Sequence, residues 1–309
     1  MIDLTNPIFH DADKAREYLE SQRWPNGPVC PHCEAKNEAT QLQGKSTRPG
    51  LYKCKGCEKP YTVTVGTVFE RSKIPLNKWL LLTFLMTNAK KGASAHQLAR
   101  DTGLTQKSAW FACQRIREAM TPEARNAGPI GGGGKTVEAD ETYVGGKAKN
   151  AHKNKPIPPK RPVVALVERN GEVRAQHVAD VTAKTVRNVL VTQASRKSKL
   201  MTDRAALYDA MGREFASHDA VDHSAGEYVR GKAHVNTAES FFANLKRQIF
   251  GQHHAVSEQH LQRYVNEAAF KWNNRSSLGI ADAERANNAL KGIGGKRLTY
   301  RKTDKTCNA

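Results

Sequence analysis

Four of the six cysteines stand in two pairs, Cys30-Pro-His-Cys33 and Cys54-Lys-Gly-Cys57, with residues 34–53 between them. A Cys-x2-Cys turn aims two thiolates at one point. Two such turns complete the tetrahedral set that Zn2+ takes at about 2.3 Å. The spacing is that of a zinc ribbon. Two disulfides are the alternative. The opening stretch, MIDLTNPIFHDADK, lacks a charged head followed by an apolar run. We therefore expect a reducing compartment, which disfavours disulfides. Because all four positions are Cys, no ligand place is left for water, and the expected zinc is structural. Lys53, Lys55 and Lys59 surround the second turn, where they either touch DNA or form a solvated face. Cys113 reads as a helix packing residue and Cys307 as an ordinary tail residue.

Three acids stand where an α/β sheet presents chemistry. Asp140 lies in VEADETYVGG. On a strand of period two, Glu138, Asp140 and Thr142 share one face, and Ala139, Glu141 and Tyr143 the other. Asp203 follows a short strand, Leu200-Met-Thr202, just before a helix. Glu239 falls in the first turn of a helix expected over 236–250, with 35 residues between it and Asp203. Two-metal phosphoryl transfer needs such a set. Two Mg2+ or Mn2+ ions about 3.5–4 Å apart stabilise the attacking and leaving oxygens of an in-line displacement, and hard cations favour carboxylate oxygens. Each acid also has a plainer reading. Asp203 caps the helix that follows, Asn236 and Glu239 form a capping box, and Asp140 is one acid of an acidic strand. On the 236–250 helix, Phe241, Phe242, Leu245 and Ile249 form one apolar arc. Glu239 and Lys246 project within about 20° of each other at its edge. Lys246 there either holds a phosphate or lies on a solvated edge, and Arg247 lies further round.

These residues need elements to hold them. A short helix is expected over 11–21, and the ribbon over about 29–65, ending in an alternating strand at 61–65. A buried helix follows from near Pro75. Residues 95–101 form a short helix, Gly103 a tight turn, and a longer helix starts near Thr105. This is helix-turn-helix syntax, or else an ordinary helical hairpin. The second helix carries Gln106, Lys107, Arg115 and Arg117, the candidate DNA-reading side chains. Residues 123–135, with Pro129 and four glycines at 131–134, read as a flexible linker. A phosphate-binding loop there lacks the preceding strand it needs. Beyond it come strands at 136–144, 161–169 and 172–178 in an antiparallel meander. A helix (183–194), a strand (199–202), a helix (205–215), a short strand (220–223) and helices at 236–250 and 259–273 complete an α/β pattern. The segment 145–161 carries six Lys or Arg residues and no acid, and reads as a long basic loop.

The whole chain is strongly basic. Lys and Arg number 49 against 30 Asp and Glu in 309 residues, a net charge of +19. That excess indicates a polyanionic partner, foremost nucleic acid. The longest mainly apolar run, 79–86, is far short of the roughly 20 residues that span a bilayer. A secreted or integral membrane protein is thus not expected, and the expected location is the cytoplasm, with the nucleoid.

Taken in order, the motifs resemble DDE transposases of bacterial and archaeal insertion sequences with an N-terminal zinc ribbon, the prokaryotic relatives of Merlin DNA transposons. The matching segments are the two cysteine pairs, Tyr61-Thr-Val-Thr-Val-Gly-Thr-Val-Phe69, Val137-Glu-Ala-Asp-Glu-Thr-Tyr-Val-Gly-Gly-Lys147, Met201-Thr-Asp203, His234-Val-Asn-Thr-Ala-Glu-Ser-Phe-Phe-Ala-Asn-Leu-Lys-Arg247 and YVNEAAFKWNNR at 264–275. The resemblance spans about 15–280. It implies an RNase H-like catalytic domain, a mixed sheet with flanking helices, and a catalytic triad carried onto Asp140, Asp203 and Glu239. Lys246 matches the family's basic position. Some relatives carry Asn as the third residue, and Asn236 lies one turn before Glu239; Glu239 is favoured as the stronger Mg2+ ligand, with Asn236 supporting the site from nearby. The expected domains are an N-terminal helix and zinc ribbon (1–66), a helix-turn-helix region (67–125), a Gly-rich linker (126–135), the catalytic domain (136–284) and a basic tail (285–309). The implied function is cleavage and transfer of DNA strands with Mg2+ or Mn2+. Its partners are double-stranded element ends and target DNA, bound by a homo-oligomer. A non-catalytic DNA-binding regulator and an RNase H-like nuclease are the competing readings.

Overall fold

The computed structural model describes residues 3–122, 128–145, 160–203, 206–222 and 225–299. Two compact units divide the chain. One comprises Met1–Thr121 with Ile280–Ala309, and the other Pro122–Gly279. The expected basic loop lies almost wholly outside the described residues, as do Cys307 and the last basic residues of the tail.

In the first unit, helix α1 (Ala12–Arg23) starts where the Asp11 carboxylate accepts the N–H groups of Asp13 and Lys14. It buries Ala15 and Leu19. The ribbon is a three-stranded antiparallel sheet in the order β1 (Ala39–Gln41), β2 (Tyr52–Cys54) and β3 (Pro60–Tyr61). So small a sheet needs help from large side chains. Trp24, Tyr52 and Tyr61 supply it, with ring centroids 5.5–5.8 Å apart. The strand expected to reach Val65 stops at Tyr61. Strand β2 has no residues left to pair with it, so the chain turns, with Val65 N–H donating to the Thr62 carbonyl and Thr67 N–H to that of Thr64. The Val63 carbonyl is taken by the Arg23 guanidinium.

Helix α2 (Leu76–Asn88) begins one residue after Pro75 and buries Trp79, Leu80, Leu82 and Met86. Its buried threonines return their hydroxyls to carbonyls one turn back, Thr83 to Trp79 and Thr87 to Thr83. Helices α3 (Ala95–Thr102) and α4 (Gln106–Ala119) follow with clear punctuation. Ser94 and Thr105 cap their N-termini. Gly103, at φ 68°, takes the left-handed position that ends α3. Residues 285–299, expected as a tail, are not set apart. A C-terminal helix (Asp282–Lys291) buries Ala286, Ala289 and Leu290, and its Arg285 donates to Asn88 at 2.9 Å. The chain then pairs back, Val68 N–H to the Ile293 carbonyl and Gly295 N–H to that of Gly66.

The second unit is a mixed five-stranded sheet between two layers of helices. The strand order is β6-β5-β4-β7-β8. Strands β4 (Thr136–Val144), β5 (Arg161–Glu168) and β6 (Val173–His177) form the antiparallel meander. Strands β7 (Lys199–Asp203) and β8 (Ser217–Val221) run parallel to β4. Helices α5 (Ala183–Gln193) and α6 (Ala206–Gly212) supply the crossovers. On their side, Val137, Ala139, Val164 and Leu166 pack with Val186, Leu190, Tyr208 and Met211. On the other side, Val144, Val163, Ala165 and Val167 meet α7 (Asn236–Gln248) and α8 (Glu258–Asn273) through Phe241, Phe242, Leu245, Leu261 and Val265. Strand β5 is therefore apolar on both faces, as its sequence RPVVALVE requires. No helix among the described residues is long and apolar enough to cross a membrane.

The glycines read as a linker belong instead to this unit. Ile130 bridges to Ala194, Gly131 N–H donates to Glu168, and Gly132 N–H donates to Ser198. Gly131 has φ 87°, and a Cβ there would lie 2.0 Å from the Ser198 hydroxyl, whereas one on Gly133 would meet nothing. We expect Gly131→Ala to destabilise the unit by about 2 kcal/mol and Gly133→Ala to change it little, as read by urea denaturation.

Candidate active site and metal centre

The two cysteine pairs converge. Cys30 and Cys57 sulfurs are 3.7 Å apart, and those of Cys33 and Cys54 are 3.6 Å apart. All four lie within 4.8 Å of one another. A tetrahedron of Zn–S bonds of about 2.3 Å has edges of about 3.8 Å, so the spacing fits zinc. The turns also aim backbone N–H groups at two of the sulfurs. His32 N–H lies 3.4 Å from the Cys30 sulfur. The Cys57 and Gly56 backbone N–H groups, against the opposing effect of burial, push the Cys54 thiol down to about 7. Among the described residues this is the one such grouping of His, Cys, Asp or Glu.

The acids of the second unit are spread wider than that, but they are electrostatically one group. Register places them: Glu138 stands opposite Met201 in the parallel ladder, so Asp140 and Asp203 are each two residues further along neighbouring strands. Asp140 accepts the N–H of Glu141 at 2.8 Å. Burial, and then the charges of Glu141, Asp203 and Glu239, push its carboxyl up to about 7. Glu141 points to the opposite face. There it accepts the Tyr208 hydroxyl at 2.7 Å. Burial and the Asp203 charge raise its carboxyl as well, and burial beside Glu141 raises the Tyr208 phenol well above 10.

Glu138 was read only as a face-mate of Asp140. It is fully buried, and its carboxylate accepts Thr237 N–H at 2.8 Å and Ala238 N–H at 3.0 Å. The Thr237 hydroxyl donates to it at 2.9 Å, and Arg169 Nε at 2.6 Å. The capping box expected from Asn236 and Glu239 does not form, since the N-cap is Val235, whose side chain has no acceptor. A carboxylate from β4 answers those amides instead. Its partners lie 31 to 100 positions away, beyond the reach of any local pattern.

The remaining candidates divide by exposure. Asn236 and Glu239 are exposed at the start of α7, Lys246 is half-buried, and Arg247 is exposed. Gln106 and Lys107 are exposed in the first turn of α4. Arg115 and Arg117, expected on a DNA-reading surface, are buried, with exposures of 8% and 2%. Arg115 lies over the Phe111 ring and donates to the Glu70 and Leu298 carbonyls. Their side chains lie in the interior of the first unit rather than on its surface.

The chain thus carries an N-terminal module with four convergent cysteines and, separately, an α/β unit with carboxylates grouped beside its central strand. Residues 131–273 match the ISXO2-like transposase domain, and residues 10–60 the transposase zinc-ribbon domain. Over 274 residues the chain is 30% identical to an uncharacterized protein in transposable element ISH50 of Halobacterium salinarum, covering 83% of this chain and 89% of that one. The chain belongs to the DDE transposases of insertion sequences that carry a zinc ribbon.

Two measurements test this site. Zinc content should fall from one ion per chain to near zero in Cys54→Ser, and the first unit should lose the metal's contribution to folding, on the order of 10 kcal/mol in isolated zinc modules. For Asp140 the sign follows from its raised value. The unfolded acid ionises near 3.8 and the folded one near 7. Ionisation therefore costs folded stability progressively between those values, and the cost is complete above them. Without divalent ions, Asp140→Asn should raise the Tm of the second unit at pH 8, on the order of 5 °C, and leave it unchanged near pH 3.5.

Proposed function

We propose that this chain is an insertion-sequence transposase that binds the element's ends and catalyses divalent-metal-dependent strand cleavage and strand transfer. The observation that carries the reading is Asp140. On the central strand of the domain that matches a transposase, its carboxyl is pushed up to about 7 by burial and by the charges of Glu141, Asp203 and Glu239. Hard oxygen donors so placed suit Mg2+ or Mn2+. The sheet order, an antiparallel meander with parallel strands added beside its first strand, supports an RNase H-like fold. The α3–turn–α4 pair supports a helix-turn-helix. Its contacts to DNA fall to Gln106 and Lys107, the exposed residues at the start of α4.

Asp140 and Asp203 would hold the ions from adjacent strands, and Glu239 would complete one site from α7. We favour Glu239 over Asn236 because its charge is felt at Asp140 and a carboxylate is the stronger ligand for a hard cation. When bound, two divalent ions would stabilise the attacking and leaving oxygens. In the first step a water oxygen bonds to phosphorus and the P–O3′ bond breaks, leaving a 3′-OH on the element and a 5′-phosphate. In the second, that 3′-OH attacks a target phosphodiester and a target 3′-OH leaves. The protein's part is position and charge. Lys246, two turns along α7 from Glu239, would hold the phosphate, with Arg247 beside it on the backbone. Working on element ends and chromosomal DNA, the chain would act in the cytoplasm as an oligomer joining two ends.

Strand transfer with short element-end duplexes and Mg2+ or Mn2+ is the test. Asp203→Ala and Glu239→Ala should each lower joining by about a hundredfold or more while end binding persists. Wild-type joining in either variant would remove that residue from the site. End binding by the wild-type chain without cleavage would favour a DNA-binding regulator, and cleavage without joined products would favour a nuclease.

A further inference from the structure

We infer that Glu138 is a positioning residue. It ties the N-terminus of α7 to β4, and so fixes Glu239 against Asp140. The inference deepens the proposed function and rests on it for its consequence, but its geometry stands alone.

Glu138 has no exposed surface, and an ionised carboxylate so placed is costly unless donors meet it. Five groups surround it. One oxygen, Oε2, accepts the Thr237 and Ala238 N–H groups, amides that a helix N-terminus leaves without intrahelical partners. The other, Oε1, takes the Thr237 hydroxyl and Arg169 Nε, with His234 Nδ1 3.3 Å away. Arg169 extends the clamp, because its two terminal nitrogens donate at 2.9 Å to the Lys232 and His234 carbonyls. The chain leading into α7 and the first turn of α7 are thus both held to one side chain. Glu138 lies two residues before Asp140 on the same face of β4, and the amides it binds immediately precede Glu239. Apolar packing also joins the two elements, but it resists sliding far less than these directed bonds do.

Side-chain chemistry separates this role from simple filling. In Glu138→Gln the shape stays, but one oxygen becomes an NH2 donor. Whichever way the amide turns, that donor faces either the α7 amides or Arg169 and the Thr237 hydroxyl. Thr237→Val is milder, removing one donor to Glu138 and leaving the backbone bonds.

The experiment uses the full chain and compares Glu138→Gln, Thr237→Val and a core control, Leu190→Ala, in the cluster on the far side of the sheet. Hydrogen exchange is followed by mass spectrometry over 235–241 and over 183–193. In Glu138→Gln the α7 segment should exchange about tenfold faster or more while the α5 segment changes little, and Thr237→Val should shift the same way by less. The Mn2+ concentration for half-maximal thermal stabilisation should rise about fivefold or more in Glu138→Gln, and not in Leu190→Ala. An unchanged α7 segment in either variant, or equal acceleration across both segments, overturns the inference. Should Glu138→Gln fail to fold, Thr237→Val decides it. A wild-type chain that shows no Mn2+ response sinks the proposed function instead, and the exchange data still decide whether Glu138 holds α7.

Discussion

A carboxylate taken out of water has to be met by donors or by positive charge, and that requirement organises the second unit around β4. Three acids fall within four residues of this central strand, which has helices on both faces. Glu138 is met by a helix N-terminus and an arginine. Glu141, on the other face, is met by the Tyr208 hydroxyl. Asp140 has one backbone N–H and, around it, the charges of three other acids. Two of the three burials are thus resolved by hydrogen bonds, and the unresolved one sits where the structure gathers its remaining acids. Sequences give up local consistency mostly where function requires it, and on β4 that inconsistency is largest at Asp140.

Topology explains why it falls there. Strand β4 is the point at which the sheet's order reverses, with β5 and β6 to one side and β7 and β8 to the other. In open α/β sheets, clefts open at such a reversal, beyond the carboxyl ends of the strands. The parallel register of β4 with β7 brings Asp203 alongside Asp140. The chain leaves β8 at Val221 and is back over β4 where α7 begins at Asn236. Arg169, just past the end of β5, holds that return by the Lys232 and His234 carbonyls. Over the acidic strand, the buried carboxylate satisfies the first-turn amides of α7, and the arginine satisfies carbonyls of the chain leading into it.

How much of this was legible depends on the distance in sequence over which each feature is encoded. The cysteine pairs, the Ser94 and Thr105 caps and Gly103 are local signals, and the elements they mark fall where expected. The meander and its crossovers follow from runs of apolar residues and their breaks. Contacts made across the chain were not legible. Glu138 looked like one acid of an alternating strand, and Asn236 and Glu239 looked like a capping box, because the true partner of those amides lies about a hundred residues away. Arg115 and Arg117 were read from charge alone, which gives no sign that a stem will be buried among α4's neighbours. The glycines at 131–134 looked flexible because composition does not reveal that Glu168 and Ser198 take their amides. The C-terminal helix is hard to read from sequence because two of its four buried residues are alanines, which carry little hydrophobic signal.

The net charge of +19 and the acids of β4 pull a nucleic acid in opposite directions. A basic surface raises the local concentration of a polyanion. A phosphodiester that follows it to Asp140 meets a group of carboxylates, and at short range in a poorly hydrated site their repulsion is much stronger than in water. Direct acid–base chemistry by these carboxylates on a backbone phosphate would work against that repulsion at every step. The two fields are compatible only where positive charge lies between acid and phosphate. Among the described candidates, Lys246 supplies one positive charge from the edge of α7, against the carboxylates of Asp140, Asp203 and Glu239. The imbalance is the physical argument that supports the proposed divalent-cation chemistry of this carboxylate group in a chain of basic composition.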